Sequence, residues 1–315
     1  MFRRFTNQQL GIALGVLVLF YGMSVLLGEN KDRSFKKTLG LADTTAVNKI
    51  EVVLADNEVI SVERTEEKWT VNGPDGTAYP ADEEQVKRSI SSLLNLEATQ
   101  LVASKEENWG AYEVDTAGTQ VRIYKGTEKL TDLVLGRFEY KQAGMMNYVR
   151  EGENEEVYLV KGFLTSAFSK EVEGWRNKNL ISEGSEEWLQ LTFNYPEDSS
   201  FSITKSGENW LFPDSTVADA GKVRSYLSTL GNLKGQKFVV GFLSSTVPVA
   251  FSLRIEGPST PIQINAYPDD THEYVLASSQ NPDAFFSGKE GELWKKVFVG
   301  AGKVMVGKID INSRP

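Results

Sequence analysis

The 315-residue chain has no cysteine and a single histidine, His272. The missing thiols exclude disulfides, thiolate nucleophiles, cysteine zinc sites and lipid attachment through an N-terminal cysteine. That absence fits either side of a bacterial membrane. With one histidine, any imidazole acting beside serine and aspartate must be His272. It lies in PDDTHEY, which reads as a solvated turn, and Asp269, Asp270 and Glu273 around it could make only a loose metal site. Basic residues are also short, 34 Lys and Arg against 43 Asp and Glu for a net charge of -9. The basic stripe that neutralises phosphates is therefore missing, and no nucleic acid partner is expected.

A phosphate-binding loop is lacking too. GKVMVGKI, Gly302 to Ile309, fits G-x-x-x-x-G-K but puts Ile309 where a magnesium-holding Ser or Thr is needed, with six residues left for a helix. Val304 and Val306 read instead as a closing strand. Any ATP-derived energy must then come from another subunit, and no cofactor or metal is expected. The doublets Glu66-Glu67, Glu83-Glu84, Glu106-Glu107, Glu155-Glu156 and Glu186-Glu187 fall at presumed turns and helix starts, where they read as surface charge rather than paired acid and base.

Long apolar runs are absent except for one. LGIALGVLVLFYGMSVLL, Leu10 to Leu27, is eighteen residues without a charge, which suits a transmembrane helix. A cleaved signal peptide is the competing reading, because Arg3 and Arg4 precede the run. Its length and the lack of a small-x-small site after it favour an uncleaved anchor. Lys31, Arg33, Lys36 and Lys37 follow it, yet a short N-terminal arm before a large domain suits a cytoplasmic N-terminus. The anchor would present Leu10, Gly11, Gly15, Phe20, Tyr21 and Leu27 to lipid or to a neighbouring helix. Gly11 and Gly15 form a G-x-x-x-G pair, equally compatible with a plain lipid-facing helix.

What is present is alternation, written twice. Ile50, Val52 and Leu54, then Ile60 and Val62, then Trp69 and Val71 follow a period of two. Leu189, Leu191 and Phe193, then Phe201 and Ile203, then Trp210 and Phe212 repeat it. QVKRSISSLLNLEATQLVA from Gln85 aligns without a gap on KVRSYLSTLGNLKGQKFVV from Lys222, so Val86, Ile90, Leu93 and Leu96 answer Val223, Leu227, Leu230 and Leu233 on one helical face. Strands are expected at Leu101-Val102 and Phe238-Val239. The expected architecture is α+β: a single N-terminal transmembrane helix followed by two tandem repeated modules, each an antiparallel β meander with a packed helix. The boundaries are an arm at 1–9, the helix at 10–27, a linker at 28–46, and modules at 47–181 and 182–310.

The succession NWGAYEVD from Asn108, VRIYKG, LVLGRF, MNYVREGENEEVYLVKGFL and EGWRNKNLI resembles the domain-of-unknown-function family 4340 over most of residues 47 to 181. Trp109-Gly110-Ala111-Tyr112 departs from the family's first phrase, and Trp175-Arg176-Asn177-Lys178 approximates its last. The resemblance implies a membrane-anchored accessory partner of an ABC-2 type transporter of the gliding-motility kind. It would work with a permease, a separate ATPase subunit and a large extracytoplasmic subunit.

The resulting expectation is a non-enzymatic single-span subunit in the cytoplasmic membrane, with periplasmic modules that bind partner subunits or substrate. Trp109, Tyr112, Trp175, Arg176 and Trp188 are its candidate interaction residues. The alternative is an anchored envelope hydrolase or carbohydrate-binding protein using carboxylates and exposed aromatics, in which the carboxylates would converge in one concave pocket. A periplasmic solute receptor with a cleft between the modules is also open.

Overall fold

The computed structural model describes residues 37–54, 57–73, 76–142 and 144–305. The apolar run with Leu10, Gly11, Gly15, Phe20, Tyr21 and Leu27 lies outside the described residues. Among those described, no helix is long and apolar enough to cross a membrane.

In chain order the elements begin with β1 (Lys37–Thr38), β2 (Lys49–Val53), β3 (Val59–Thr65), β4 (Lys68–Asn72), β5 (Ala78–Pro80), α1 (Glu83–Ser92) and β6 (Glu97–Ala103). There follow α2 (Trp109–Tyr112), β7 (Thr119–Lys125), β8 (Glu128–Lys141), β9 (Gly144–Glu151) and β10 (Val157–Lys161). Then come β11 (Gln190–Asn194), β12 (Phe201–Ser206), β13 (Asn209–Leu211), α3 (Ala220–Gly231) and β14 (Phe251–Glu256). The described chain closes with β15 (Ile262–Asp269), β16 (Glu273–Ser278), β17 (Asn281–Ser287) and α4 (Leu293–Val297).

This is a mostly β protein, which corrects the α+β expectation. Among the described residues the helices have 10, 4, 12 and 5 residues and are set among antiparallel strands. Alternating β-branched and aromatic residues outweigh the two amphipathic stretches, so strand pairing dominates the backbone hydrogen bonding. The helix expected from Gln85 ends at Ser92, and its apparent continuation is β6. Downstream of α3, Phe238 makes only an isolated bridge to Phe286 and the expected strand is a loop. The expected closing strand is a single 3-10 turn at Ala301–Lys303 in its described part, with Val304 buried after it; Val306 lies outside the described residues.

The described residues form two compact units, one of residues 37–47 and 90–168, the other of 48–89 and 169–305. In the first, strands run antiparallel in the order β1-β6-β10-β9-β8-β7. One face of it buries Val114, Val134, Met146, Tyr148, Val157 and Leu159. The pairing of β8 with β9 shifts register between Leu135 and Phe138. At that break Asn147, fully buried, donates to Gly136 O at 2.9 Å and accepts from Leu164 N at 2.8 Å, so the bulge leaves neither amide group orphaned.

The second unit contains the meander β2-β3-β4-β5 and a seven-stranded sheet in the order β13-β12-β11-β14-β15-β16-β17. Of the residues the alternation marks, Leu189, before β11, is 47% exposed, whereas Ile50 and Val52 on β2, Ile60 and Val62 on β3, and Leu191 and Phe193 on β11 point inward. Each such side chain contributes about 1.5 to 3 kcal/mol on leaving water. The β3–β4 turn places Glu66 at φ 59°, a conformation that Gly207 meets without strain in the β12–β13 turn. Asp219 caps α3, its Oδ1 accepting from Gly221 N and Lys222 N at 3.0 Å each, and the helix buries Val223, Tyr226, Leu227 and Leu230.

Candidate functional site

A cleft of about 650 Å³ lies along the outer side of α3, floored by Trp210 and Leu227. Arg224, Leu227 and Ser228 reach it because helical periodicity puts residues three and four apart on one face. Lys205 and Glu208 arrive from the β12–β13 hairpin and Glu186 from the 3-10 turn Ser185–Glu187. The rim thus carries both signs of charge over an apolar floor, and all four charged residues are exposed. A rim of mixed, solvated charge around an apolar floor suits surface recognition.

A second surface feature of the same unit is the loop between α3 and β14. No charged residue occurs between Lys237 and Arg254. Val240 is 80% exposed and Leu243 66%. The loop is nonetheless fixed: Phe242 packs on the rings of Tyr267 and Phe285 at 5.4 and 5.3 Å, Val239 N donates to Phe285 O at 2.8 Å, and Ala250 N donates to Ala266 O at 2.9 Å.

The sequence-derived residues separate into distinct environments. Trp109 and Tyr112 stand on α2, half-buried. The Trp109 ring covers the Arg150 guanidinium at 3.8 Å while its Nε1 donates to Glu155 O at 2.9 Å. The Tyr112 ring lies 4.7 Å from that of Tyr148. Tyr148 in turn donates to Glu139 Oε1 at 2.7 Å, and burial, followed by that hydrogen bond, pushes its hydroxyl up to about 12. Both faces used by these aromatics are therefore turned inward.

Trp175 and Trp188 are both buried rather than presented at the surface, and Trp188 belongs to the core of the second unit. Trp175 is fully buried with Nε1 donating to Ser169 O at 3.0 Å, whereas Trp188 is buried with no partner for its Nε1 among the described residues. An indole gains more from burial than from a solvated position. Arg176 is also buried, sandwiched between the rings of Tyr79 and Phe238.

His272 does not complete a catalytic triad. Its Nδ1 lies 3.0 Å from Ser287 Oγ, and Ser287 is also the group that first holds the Glu290 carboxyl below its ordinary pKa, although Glu290 Oε2 is buried without a hydrogen-bond partner among the described residues. Serine, fully buried, is in the middle where histidine would have to be. Asp269 Oδ1 is occupied in accepting from Thr271 N and His272 N at 2.9 and 2.8 Å. Among the described residues no group of three His, Asp or Glu could hold a metal ion.

Residues 69–254, more than half of the chain, match the sequence profile described as Domain of unknown function (DUF4340). The chain belongs to this family. No curated protein and no solved structure matches it. The matched stretch begins in β4 and ends in β14, so it takes in the α3 cleft, Arg150, Arg176 and the exposed loop, and leaves out the His272 cluster. Arg150 and the loop were missed in the sequence. The arginine sits in an ordinary strand pattern, and the loop's alternating apolar residues imitate a strand.

Proposed function

We propose that this DUF4340 chain is a non-catalytic accessory subunit of a membrane transporter of the ABC-2, gliding-motility-like kind. Its described part binds partner subunits on the outer side of the cytoplasmic membrane. The partners are a permease and a large extracytoplasmic subunit, with a separate ATPase on the other side supplying the energy. The membrane location rests on the uncharged stretch at 10–27 of the sequence, and the transporter on the family resemblance carried by the Asn108 to Ile181 phrases.

The observation that supports binding as the activity is the fixed loop that holds Val240 and Leu243 in water. A rigid base keeps these side chains from folding back, so their exposure is relieved when a partner covers them. Covering both is worth about 1.5 to 3 kcal/mol each, and about 1.4 kcal/mol changes an equilibrium constant tenfold. The occupant is an apolar surface of the permease or of the large extracytoplasmic subunit.

The test is gentle detergent extraction of the full chain from its native membranes, with identification of what accompanies it. A permease and an ATPase should copurify in fixed proportion, and the doubly substituted chain Val240→Asp, Leu243→Asp should lose at least nine-tenths of both while keeping its far-ultraviolet circular dichroism. A chain that always emerges alone refutes the transporter reading. Undiminished copurification of the double variant refutes the role of the loop.

A further inference from the structure

Arg176 offers a built site that none of the preceding roles uses. Its guanidinium lies 3.8 Å from the centroid of the Tyr79 ring on one side and 3.7 Å from that of Phe238 on the other. Both faces of the plane are therefore covered, and only the edge bearing the N–H groups is left. Among the described residues that side chain makes no hydrogen bond and no ion pair, although Arg176 as a whole is only 7% exposed. None of its nitrogens is sealed from water. Burial draws the group below its ordinary pKa, and Glu173, exposed nearby, acts on it through space without bonding it.

The surroundings hold the guanidinium in place. Trp175, fully buried, anchors the preceding residue. Asp82 N donates to Trp175 O at 2.7 Å and Asn177 N to Pro80 O at 2.8 Å. Asn281 Nδ2 clamps the following turn by donating to Asn177 O and Asn179 O at 3.0 and 3.1 Å. The neighbouring cation Lys234 is already neutralised by Asp82 at 3.1 Å. A planar fork with donors in one plane, stacked and immobilised, and with a single uncompensated charge, fits a planar monoanion that accepts two parallel hydrogen bonds. A phosphate dianion would call for further donors that the site does not supply.

We propose that the edge of Arg176 is a carboxylate-binding site, with Tyr79 and Phe238 as its walls. The carboxylate is either a free small molecule or the side chain or terminus of a partner polypeptide, and the same fork serves both. This inference stands whether or not the transporter reading does.

The test follows the Nε–H resonance of Arg176 in the ¹⁵N-labelled full chain, assigned by its disappearance in Arg176→Lys. Sodium acetate is titrated against sodium chloride at matched ionic strength, with inorganic phosphate as a third probe. A saturable shift with acetate alone is expected. Tyr79→Leu, which keeps the arginine and removes one wall, should move the same resonance by taking away the ring stacked on it, which assigns it even where Arg176→Lys does not fold, and should raise the half-saturating concentration at least threefold. A non-saturating drift shared with chloride overturns the site, and tighter binding of phosphate overturns the carboxylate assignment. A short peptide with one glutamate, compared with its glutamine counterpart, then identifies the source. Tighter binding than acetate by the glutamate form alone assigns a polypeptide, and equal binding assigns a free carboxylate.

Discussion

Replacing Arg150 by Met should loosen one segment of the first unit far more than the rest of it. Arg150, on β9 and 7% exposed, donates from Nε to Val114 O at 3.0 Å. Its second nitrogen donates to Gly152 O, and at 3.3 and 3.4 Å to Glu151 O and Asn154 O. The segment 151–155 is thus wrapped around the guanidinium, with Trp109 as a lid at 3.8 Å. Methionine keeps the aliphatic stem and removes all of this. At least two well-formed hydrogen bonds to a charged group are lost, about 1.5 to 3 kcal/mol each, together with a desolvated cation–π contact of about 2 kcal/mol. Against this, the charge no longer has to be stripped of water, which returns several kcal/mol. The net is a destabilisation of about 2 to 4 kcal/mol, and Val114 O is left buried without its donor. Lysine keeps the charge but cannot span four carbonyls, so it should fall between methionine and arginine. Native-state hydrogen exchange followed by mass spectrometry reads the effect directly. Peptides covering residues 150–157 should exchange roughly thirty to seven hundred times faster, with β11 to β17 unchanged. Acceleration below about threefold, or acceleration spread evenly over both units, would refute the assignment of Arg150 as the organiser of this loop.

Two further outcomes are expected. Burial, with the hydrogen bond to Glu139, pushes the Tyr148 hydroxyl up to about 12, while an unfolded tyrosine ionises near 10. The folded state therefore favours the neutral phenol. That contribution is complete below about pH 10 and fades as pH rises from 10 through 12, because the unfolded chain ionises first. Urea midpoints measured across this window should fall more steeply for the natural chain than for Tyr148→Phe, and parallel slopes would contradict the burial argument. At the start of α3, Asp219→Ala removes the acceptor of two backbone amides and should cost about 1 kcal/mol, with Asp219→Asn costing less. Amide exchange at Gly221 and Lys222 locates the change, and a loss felt equally at Leu230 would mean that the helix end frays as one piece.

The alternation of Ile50, Val52, Ile60 and Val62, and of Leu191 and Phe193, was readable because one-sided burial in a sheet imposes a period of two. Helix α3 was equally readable from its buried stripe. The class was not, because two amphipathic stretches look as prominent in a sequence as strands do, while strand length and pairing decide the fold. The helical pattern from Gln85 also ran past its true end, since Leu96 falls at a helical spacing and yet is buried beside the start of β6.

Site residues were harder to read for a related reason. An indole suits a core and a binding surface equally, so Trp175 and Trp188 could not be placed before their packing was known. Local composition cannot say which face of a side chain is already covered. Arg176 depends on Tyr79 from the first meander and Phe238 from beyond α3, and no short phrase containing all three exists. What the phrase around it does encode is the clamp: Trp175 to bury the backbone, and Asn177 and Asn179 to present carbonyls to Asn281. The chain therefore specifies the rigidity of the site locally and its chemistry only through tertiary contact. A substitution such as Asn281→Ala should accordingly weaken anion binding at Arg176 without touching any atom of the fork.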